Sequence, residues 1–461
     1  MNGSVPLRAD RAPRCGWAHG IAWPFRQHGA WAFSVAALLA FVSGQPVRAD
    51  EAPLTLAETQ RLATLRSKQL EASELGVSAS KDLAITAAER PDPIGKIGLE
   101  NLPVNGPERF SVQDDFMTMR SVGIMQEITR PSKLRARTAE SEKAVQLAEA
   151  KKAQTLVAVR RDSAMAWLDR YYAEATLRTV LQQLETARLE VEGAEAAYRG
   201  GRGIAADVLA ARETAAEFED LAADASRAVS TSKVALARWV GDDADRGIAG
   251  APPIDTIPLH KHTLDAQLAQ HPESLALERR EELARAGAEV ARADRRPDWS
   301  VEFMYSARGT GYSNMVTLEL TVPLQIRRAN RQDPKLAAKL AEASQAKAER
   351  EDMLREHAAD IAAPIDAWES ARERRDRYRA SIIPLAADRT LAARAAYRGG
   401  KMTLNDLLLA DRAELDARLK ALQLEAMAAR LWARLAFLST PPEALAGTPS
   451  RQNAADQEAL P

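Results

Sequence analysis

Six histidines and one cysteine set a low ceiling on the chemistry this 461-residue chain can carry. His260-Lys261-His262, with Asp265 close behind, offers two imidazoles and a carboxylate, donor types that bind a transition metal. The same residues in a polar connecting segment serve equally as a solvated loop, which their linker position favours. His271 and His357 are the other histidines beyond residue 49. Cys15, the single thiol, rules out an internal disulfide and a cysteine zinc site. No phosphate-binding loop, dinucleotide glycine turn, nucleophile elbow or HExxH occurs. Aspartates and glutamates are scattered along helix-forming runs, where solvated surface and i to i+4 pairing are their ordinary uses. No enzyme activity, cofactor or metal centre is expected. Lysine plus arginine (63) balances aspartate plus glutamate (64), so no nucleic-acid partner is expected either.

Aromatic residues are 5% of the chain and charged residues 28%. With Ala, Arg, Glu, Leu and Lys dominating residues 132–239, that balance is the signature of long helices with narrow apolar seams. The length permits two ordinary domains or one elongated body. Residues 1–49 read as a signal peptide. Arg8, Arg11, Arg14 and Arg26 form a basic lead, Ala30–Val42 is apolar but too short to span a bilayer, and Val47-Arg48-Ala49 presents small residues for cleavage. An N-terminal anchor helix is the alternative. Cys15 precedes the apolar stretch, so the arrangement for a lipoprotein acyl anchor is missing.

The rest of the chain reads as one plan used twice. AAYRGGRGIAADVLAAR from Ala196 and AAYRGGKMTLNDLLLAD from Ala395 repeat a pattern 199 residues apart. Each copy runs helix, strand pair, very long helix, glycine turn, helix. The first copy occupies 50–240 and the second 259–440, joined by a Gly-, Pro- and Asp-rich linker at 241–258 and followed by a loose tail at 441–461. A helix over about Leu56–Glu89 stops at Arg90-Pro91-Asp92-Pro93, and the second copy reuses the stop at Arg295-Arg296-Pro297-Asp298. Ser132–Tyr198 has no proline and one glycine, Gly193, which predicts one continuous helix. Its seam of Leu177, Val180, Leu184, Ala187, Val191, Ala194 and Tyr198 alternates three and four apart, as packing on a neighbouring helix requires. Gly200-Gly201 and Gly399-Gly400 supply the positive φ that ends a helix. In the second copy Pro364 and Pro384 predict a kink or offset before the turn, and Leu408, Leu415 and Leu422 stripe the return helix.

The strands carry the clearest alternation. Val316, Leu318, Leu320 and Val322 point one way and Thr317, Glu319 and Thr321 the other. Val301, Phe303, Tyr305 and Ala307 alternate likewise against Glu302, Met304 and Ser306, with RGTGYSN as the hairpin turn. Ile94–Asn101 and Met119–Ile128 are weaker candidates in the first copy. Strands of this length suit an outer-membrane barrel or a soluble sheet buried on one face. Four strands cannot close a barrel, and an open edge in lipid leaves backbone groups unsatisfied, so a membrane role demands several chains.

Together, YRGGRGIAADVL with YRGGKMTLNDLL, the RPDP and RPDW stops, and VGIMQEITRPSK and LELTVPLQIRRANR leading from strand to long helix resemble the TolC-like outer-membrane efflux factor family over residues 54–440. The resemblance implies a mainly α chain with a small β part, forming a trimeric α-helical tunnel with a 12-stranded outer-membrane barrel, four strands per chain. It implies a Gram-negative outer membrane with a periplasmic extension, lipid against Val316, Leu318, Leu320 and Val322, and work with a periplasmic adaptor (membrane fusion) protein and an inner-membrane RND-type pump. The adaptor-docking tips map to Arg199, Gly200, Gly201, Arg202, Gly203 and Ile204, and to Arg398, Gly399, Gly400, Lys401, Met402 and Thr403. Asp207 and Asp406 map to the aspartate opening each return helix. There they either ring the pore constriction or simply complement the helix dipole. Leu409 stands where some relatives carry a second acid. NLPVNGPERF and MTMRSVGIMQEITRPSK are most similar to the heavy-metal (cobalt-zinc-cadmium and copper-silver) branch; drug or solvent export is the alternative. Outside the channel class, a periplasmic adaptor would show one helical hairpin between β-rich halves, and a coiled-coil scaffold would not need the strands.

Overall fold

The computed structural model describes residues 52–257 and 271–437. The signal-peptide and tail expectations, and His260, His262 and Asp265, lie outside the described residues. Among the described residues the chain forms α1 (Leu56–Arg66), α2 (Lys68–Ala88), β1 (Ile94–Glu100), β2 (Met119–Ile128), α3 (Pro131–Arg199) and α4 (Ala205–Val240). These are followed by α5 (Pro272–Ala293), β3 (Trp299–Ala307), β4 (Met315–Thr321), α6 (Gln332–Arg377), α7 (Ile383–Arg398) and α8 (Leu404–Ala436). At 69 residues α3 is about 100 Å long, with Pro131 in its first turn, where a missing N–H costs nothing. Its counterpart is α6 and α7 joined by a π turn at Tyr378–Ile382. That wide turn directly precedes Pro384, whose ring and missing donor disrupt ordinary α-helical bonding. Pro364, by contrast, sits inside α6 with no break.

One expectation is corrected. The first helix is two, because Ser67 leaves helical geometry (φ −68, ψ 107) and its hydroxyl accepts the Leu70 N–H at 3.2 Å, capping a new helix. The linker after Val240 is ordered through its described residues. It begins as a 3₁₀ turn, Gly241–Asp245, and pairs Ile248 with Leu54 in a short parallel bridge. Three tryptophan indoles from three long helices then bind this belt of chain: Trp167 donates to Leu54 O (2.9 Å), Trp368 to Ile254 O (3.0 Å) and Trp432 to Thr256 O (3.0 Å). Arg170 donates to the carbonyls of Ala244 and Arg246, and Arg375 pairs with Asp255 at 2.7 Å. The largest core gathers here, where Leu168, Leu236, Val240, Ile254, Ile361, Ile365 and Leu435 surround these rings. A Gly- and Pro-rich segment thus gains order from indole donors that satisfy its backbone carbonyls.

The strands form one antiparallel sheet in the order β1-β2-β3-β4, so the β2–β3 pair fuses the two copies. The register aligns Ile97, Val122, Tyr305 and Val316 in one row, and Ile124, Phe303 and Leu318 in the next. All seven are exposed, Ile97 at 91% and Leu318 at 74%. The opposite face carries Lys96, Ser121, Glu302, Ser306, Thr317 and Glu319, with the Lys96 ammonium reaching over Gly123 to the Glu302 carboxylate. A Cβ on Gly123 would come within 2.8 Å of Phe303 O, so glycine keeps the strands close. Neither the free side of β1 nor that of β4 has a strand partner among the described residues. No helix among them is long and apolar enough to cross a membrane.

Candidate functional site

The two glycine turns are the same structure built twice. At the first, Gly201 N–H donates to Tyr198 O (3.0 Å) and Arg202 N–H to Ala197 O (2.9 Å); at the second, Gly400 donates to Tyr397 O (3.0 Å) and Lys401 to Ala396 O (2.9 Å). These paired bonds satisfy the last helical carbonyls and require a left-handed residue, supplied by Gly201 at φ +72 and Gly400 at φ +68. Arg199, Arg202 and Ile204 on one turn, and Arg398, Lys401, Met402 and Thr403 on the other, are exposed, whereas Gly203 is half-buried.

The return helices start differently. Thr403 accepts the Asp406 N–H at 3.2 Å and donates its hydroxyl to the Asp406 carboxylate at 2.7 Å. Ile204 has no side-chain acceptor, so only the reverse bond forms there, Ile204 N–H to Asp207 at 3.3 Å. Both aspartates therefore serve as helix-opening groups, whatever else they do.

Beneath the turns, Ala194, Ala211, Ala393, Leu404, Leu407, Leu408 and Ala410 form one apolar cluster with Val208 and Tyr397 at its edge. The structure thus brings the two tips together side by side, as repeated small residues allow. Leu409 faces outward, exposed.

Sequence reading missed Asp411. It sits on the buried stripe of α8, four residues after Leu407 and four before Leu415, and is 2% exposed. Arg394 of α7 lies 3.1 Å from Asp411 and 3.1 Å from Glu190 of α3. An aspartate interrupting an i, i+4 leucine stripe was the available signal. The first copy solves the same position with reversed charges: Arg212 and Glu195, 199 residues before Asp411 and Arg394, pair at 2.7 Å. Burial, the hydrogen bond and negative charge of Glu190, and a smaller repulsion from Glu414 push the Asp411 carboxyl up to about 8, against the pull of Arg394.

The sign of the pH effect follows. A carboxyl that holds its proton more tightly folded than unfolded contributes stability below its unfolded pKa, about 3.9, and loses it as pH rises through about 8. Asp411→Asn should flatten this decline. Melting of the helical circular-dichroism signal at pH 5 and pH 9 should differ less in the variant than in the parent, and an equal pH response would reject the assignment.

His271, Glu273 and His357 also lie together, their ligand-type atoms within 4.8 Å of one another. His271 is buried, which lowers its pKa, and its Nδ1 accepts the Glu273 N–H at 3.3 Å as a helix cap. A neutral imidazole with an accepting Nδ1 carries its proton on Nε2, so the cluster as folded is a cap with no free lone pair on His271.

Solved structures resemble this arrangement over most of its length. A membrane protein from Pseudomonas aeruginosa aligns with TM-score 0.72 and 17% identity, covering 84% of this chain and 93% of its own. The chain shares that protein's fold. VceC, an outer membrane protein from Vibrio cholerae, aligns with TM-score 0.68 and 20% identity over 83% of this chain and 96% of its own. CusC, whose crystal structures concern conformational changes accompanying folding and transmembrane channel formation, gives TM-score 0.71 and 15% identity over 84% of this chain and 92% of its own. At these identities the likeness establishes the fold, the mainly helical body with its small antiparallel sheet. No family model and no curated protein matches the sequence.

Proposed function

We propose that this chain is the outer-membrane channel subunit of a tripartite export system, a passive duct for substrates delivered by an inner-membrane pump and a periplasmic adaptor. The observation that carries this reading is the sheet. One face is apolar and exposed, the other is polar and charged, and both edges are unpaired among the described residues. That is the pattern of a barrel segment between lipid and water, completed by copies of itself because lipid offers the edges no hydrogen bonds. Three copies would supply twelve strands. Val316, Leu318 and Leu320 would then face lipid, with Val322 just beyond the end of β4. The long helical hairpins would extend into the periplasm, and their tips, from Arg199 to Ile204 and from Arg398 to Thr403, would meet the adaptor. Asp207 and Asp406 would stand near the narrowest point, where six carboxylates in a trimer favour cations. Two complete helical hairpins argue against an adaptor, which needs one.

For cargo, the heavy-metal reading rests on the sequence resemblance alone, since specificity in such a system belongs mainly to the pump. Deleting the gene should sensitise the cell to heavy-metal cations while leaving survival against hydrophobic toxins unchanged. Sensitivity to toxins alone would replace the metal assignment with drug or solvent export.

A further inference from the structure

Where the sheet meets the helices, the two copies within the chain are locked by a polar clasp. The Asp298 carboxylate, just before β3, accepts the Arg130 N–H at 3.1 Å where α3 begins, and the Arg130 Nε lies 3.6 Å from it. The Arg130 guanidinium also donates to the carbonyls of Ala293 (2.6 Å) and Arg296, closing the C-terminal end of α5. Lys133, one turn on, reaches Asp298 at 2.7 Å and Asp294 at 3.0 Å. Burial opposes the Lys133 charge, but hydrogen bonds to both carboxylates outweigh it and hold its pKa above the ordinary value. The clasp thus fastens the end of one copy's helix–strand link to the start of the other copy's long helix.

The Asp298 and Arg130 ends of this clasp each occur a second time, at Asp92 and Arg331, and there the two stand open, while Lys335 is held by Asp294 at 2.9 Å. Arg90-Pro91-Asp92 before β1 duplicates Arg296-Pro297-Asp298 before β3, so Asp92 is the counterpart of Asp298. Arg331 is the N-cap of α6 as Arg130 is of α3, and Lys335 follows it as Lys133 follows Arg130, one residue later. Asp92 and Arg331 are both exposed, and neither side chain has a partner among the described residues. They belong to opposite edges of the sheet, Asp92 to the β1 edge and Arg331 to the β4 edge. The link from β4 to α6 is longer than that from β2 to α3, and its exposed Val322, Leu324 and Ile326 continue the alternation of β4 beyond its paired residues.

We propose that a second copy of this chain closes the open clasp: Arg331 of one copy pairs with the Asp92 carboxylate of the next, as its β4 adds to the next copy's β1. The inference rests on the channel reading above and adds the residues that set the seam. Internal duplication makes the argument, because the β2–β3 seam already shows how such a joint is built. A ring of identical copies then repeats it with complementary charges, a head-to-tail contact that closes on itself. Partial burial at the seam makes each pair stronger than an open surface ion pair.

The test uses the full chain with Cys15→Ser, so that introduced thiols are the only ones. Asp92→Cys with Arg331→Cys, treated with a short bis-maleimide in membranes, should give covalent dimers and trimers on a denaturing gel, and neither single variant should. Charge reversal supplies an independent arm. Asp92→Arg and Arg331→Asp should each lower the temperature at which the oligomer dissociates, and combining them should restore it. An oligomer in native mass spectrometry with neither cross-link nor restoration would overturn the clasp and leave the channel reading standing. A protein monomeric in that measurement would overturn both.

Discussion

Leu318→Arg is expected to remove the protein from the outer-membrane fraction while leaving its helical body folded. Leu318 lies mid-strand in β4 opposite Phe303, exposed in the single chain on the apolar face. If that face meets hydrocarbon, an arginine near the bilayer midplane costs about 2–4 kcal/mol per copy, and a ring of three copies incurs it three times. Leu318 is exposed and belongs to none of the helical cores among the described residues, so the helical circular dichroism should persist. Thr317→Arg is the control. Its neighbour Met304 and the nearby Glu302 and Glu319 lie on the polar face, where a cation meets water and carboxylates. Heat-resistant oligomer in the outer-membrane fraction should be lost in the first variant and retained in the second. Equal behaviour would mean that the exposed row is not a lipid surface.

Trp368→Ala is expected to be the most damaging change in the helical body, at about 3–5 kcal/mol. The indole is buried between Ile361, Ile365 and Ala371, and its N–H holds Ile254 O at 3.0 Å. Truncation opens a cavity and also releases the belt that ties the two copies together, leaving a buried carbonyl unpaired. Trp368→Phe fills much of the space but leaves the same carbonyl unpaired, for about 1–3 kcal/mol. The midpoint of urea unfolding, followed by circular dichroism, should fall steeply for alanine and less for phenylalanine. Matching midpoints would show that the belt contributes little.

These effects separate what local sequence dictates from what tertiary structure adds. Proline and glycine act through their own backbones, so the stops before β1 and β3 and the turns at Gly201 and Gly400 were legible residue by residue. Period-two alternation likewise marked the apolar row of β4, and the weaker candidate at Met119–Ile128 is β2. The break at Ser67 was not legible, because serine interrupts a helix only when its hydroxyl finds an N–H to cap. Nor was the ordering of the segment after Gly241, whose turn-rich composition conceals carbonyls that distant tryptophans satisfy. Asp411 looked like any charge on a long helix until α3 and α7 closed over it. At the candidate site, the turns and their basic residues could be read from the repeat, whereas the acid network beneath them depends on three helices meeting.

The central claim is that one chain is a third of a wall. Cryo-electron microscopy of the detergent-purified protein tests it most directly. The account predicts three copies around a continuous lumen, with β4 of each copy paired to β1 of the next. A single copy with a free four-stranded sheet, or an assembly without a lumen, would contradict it.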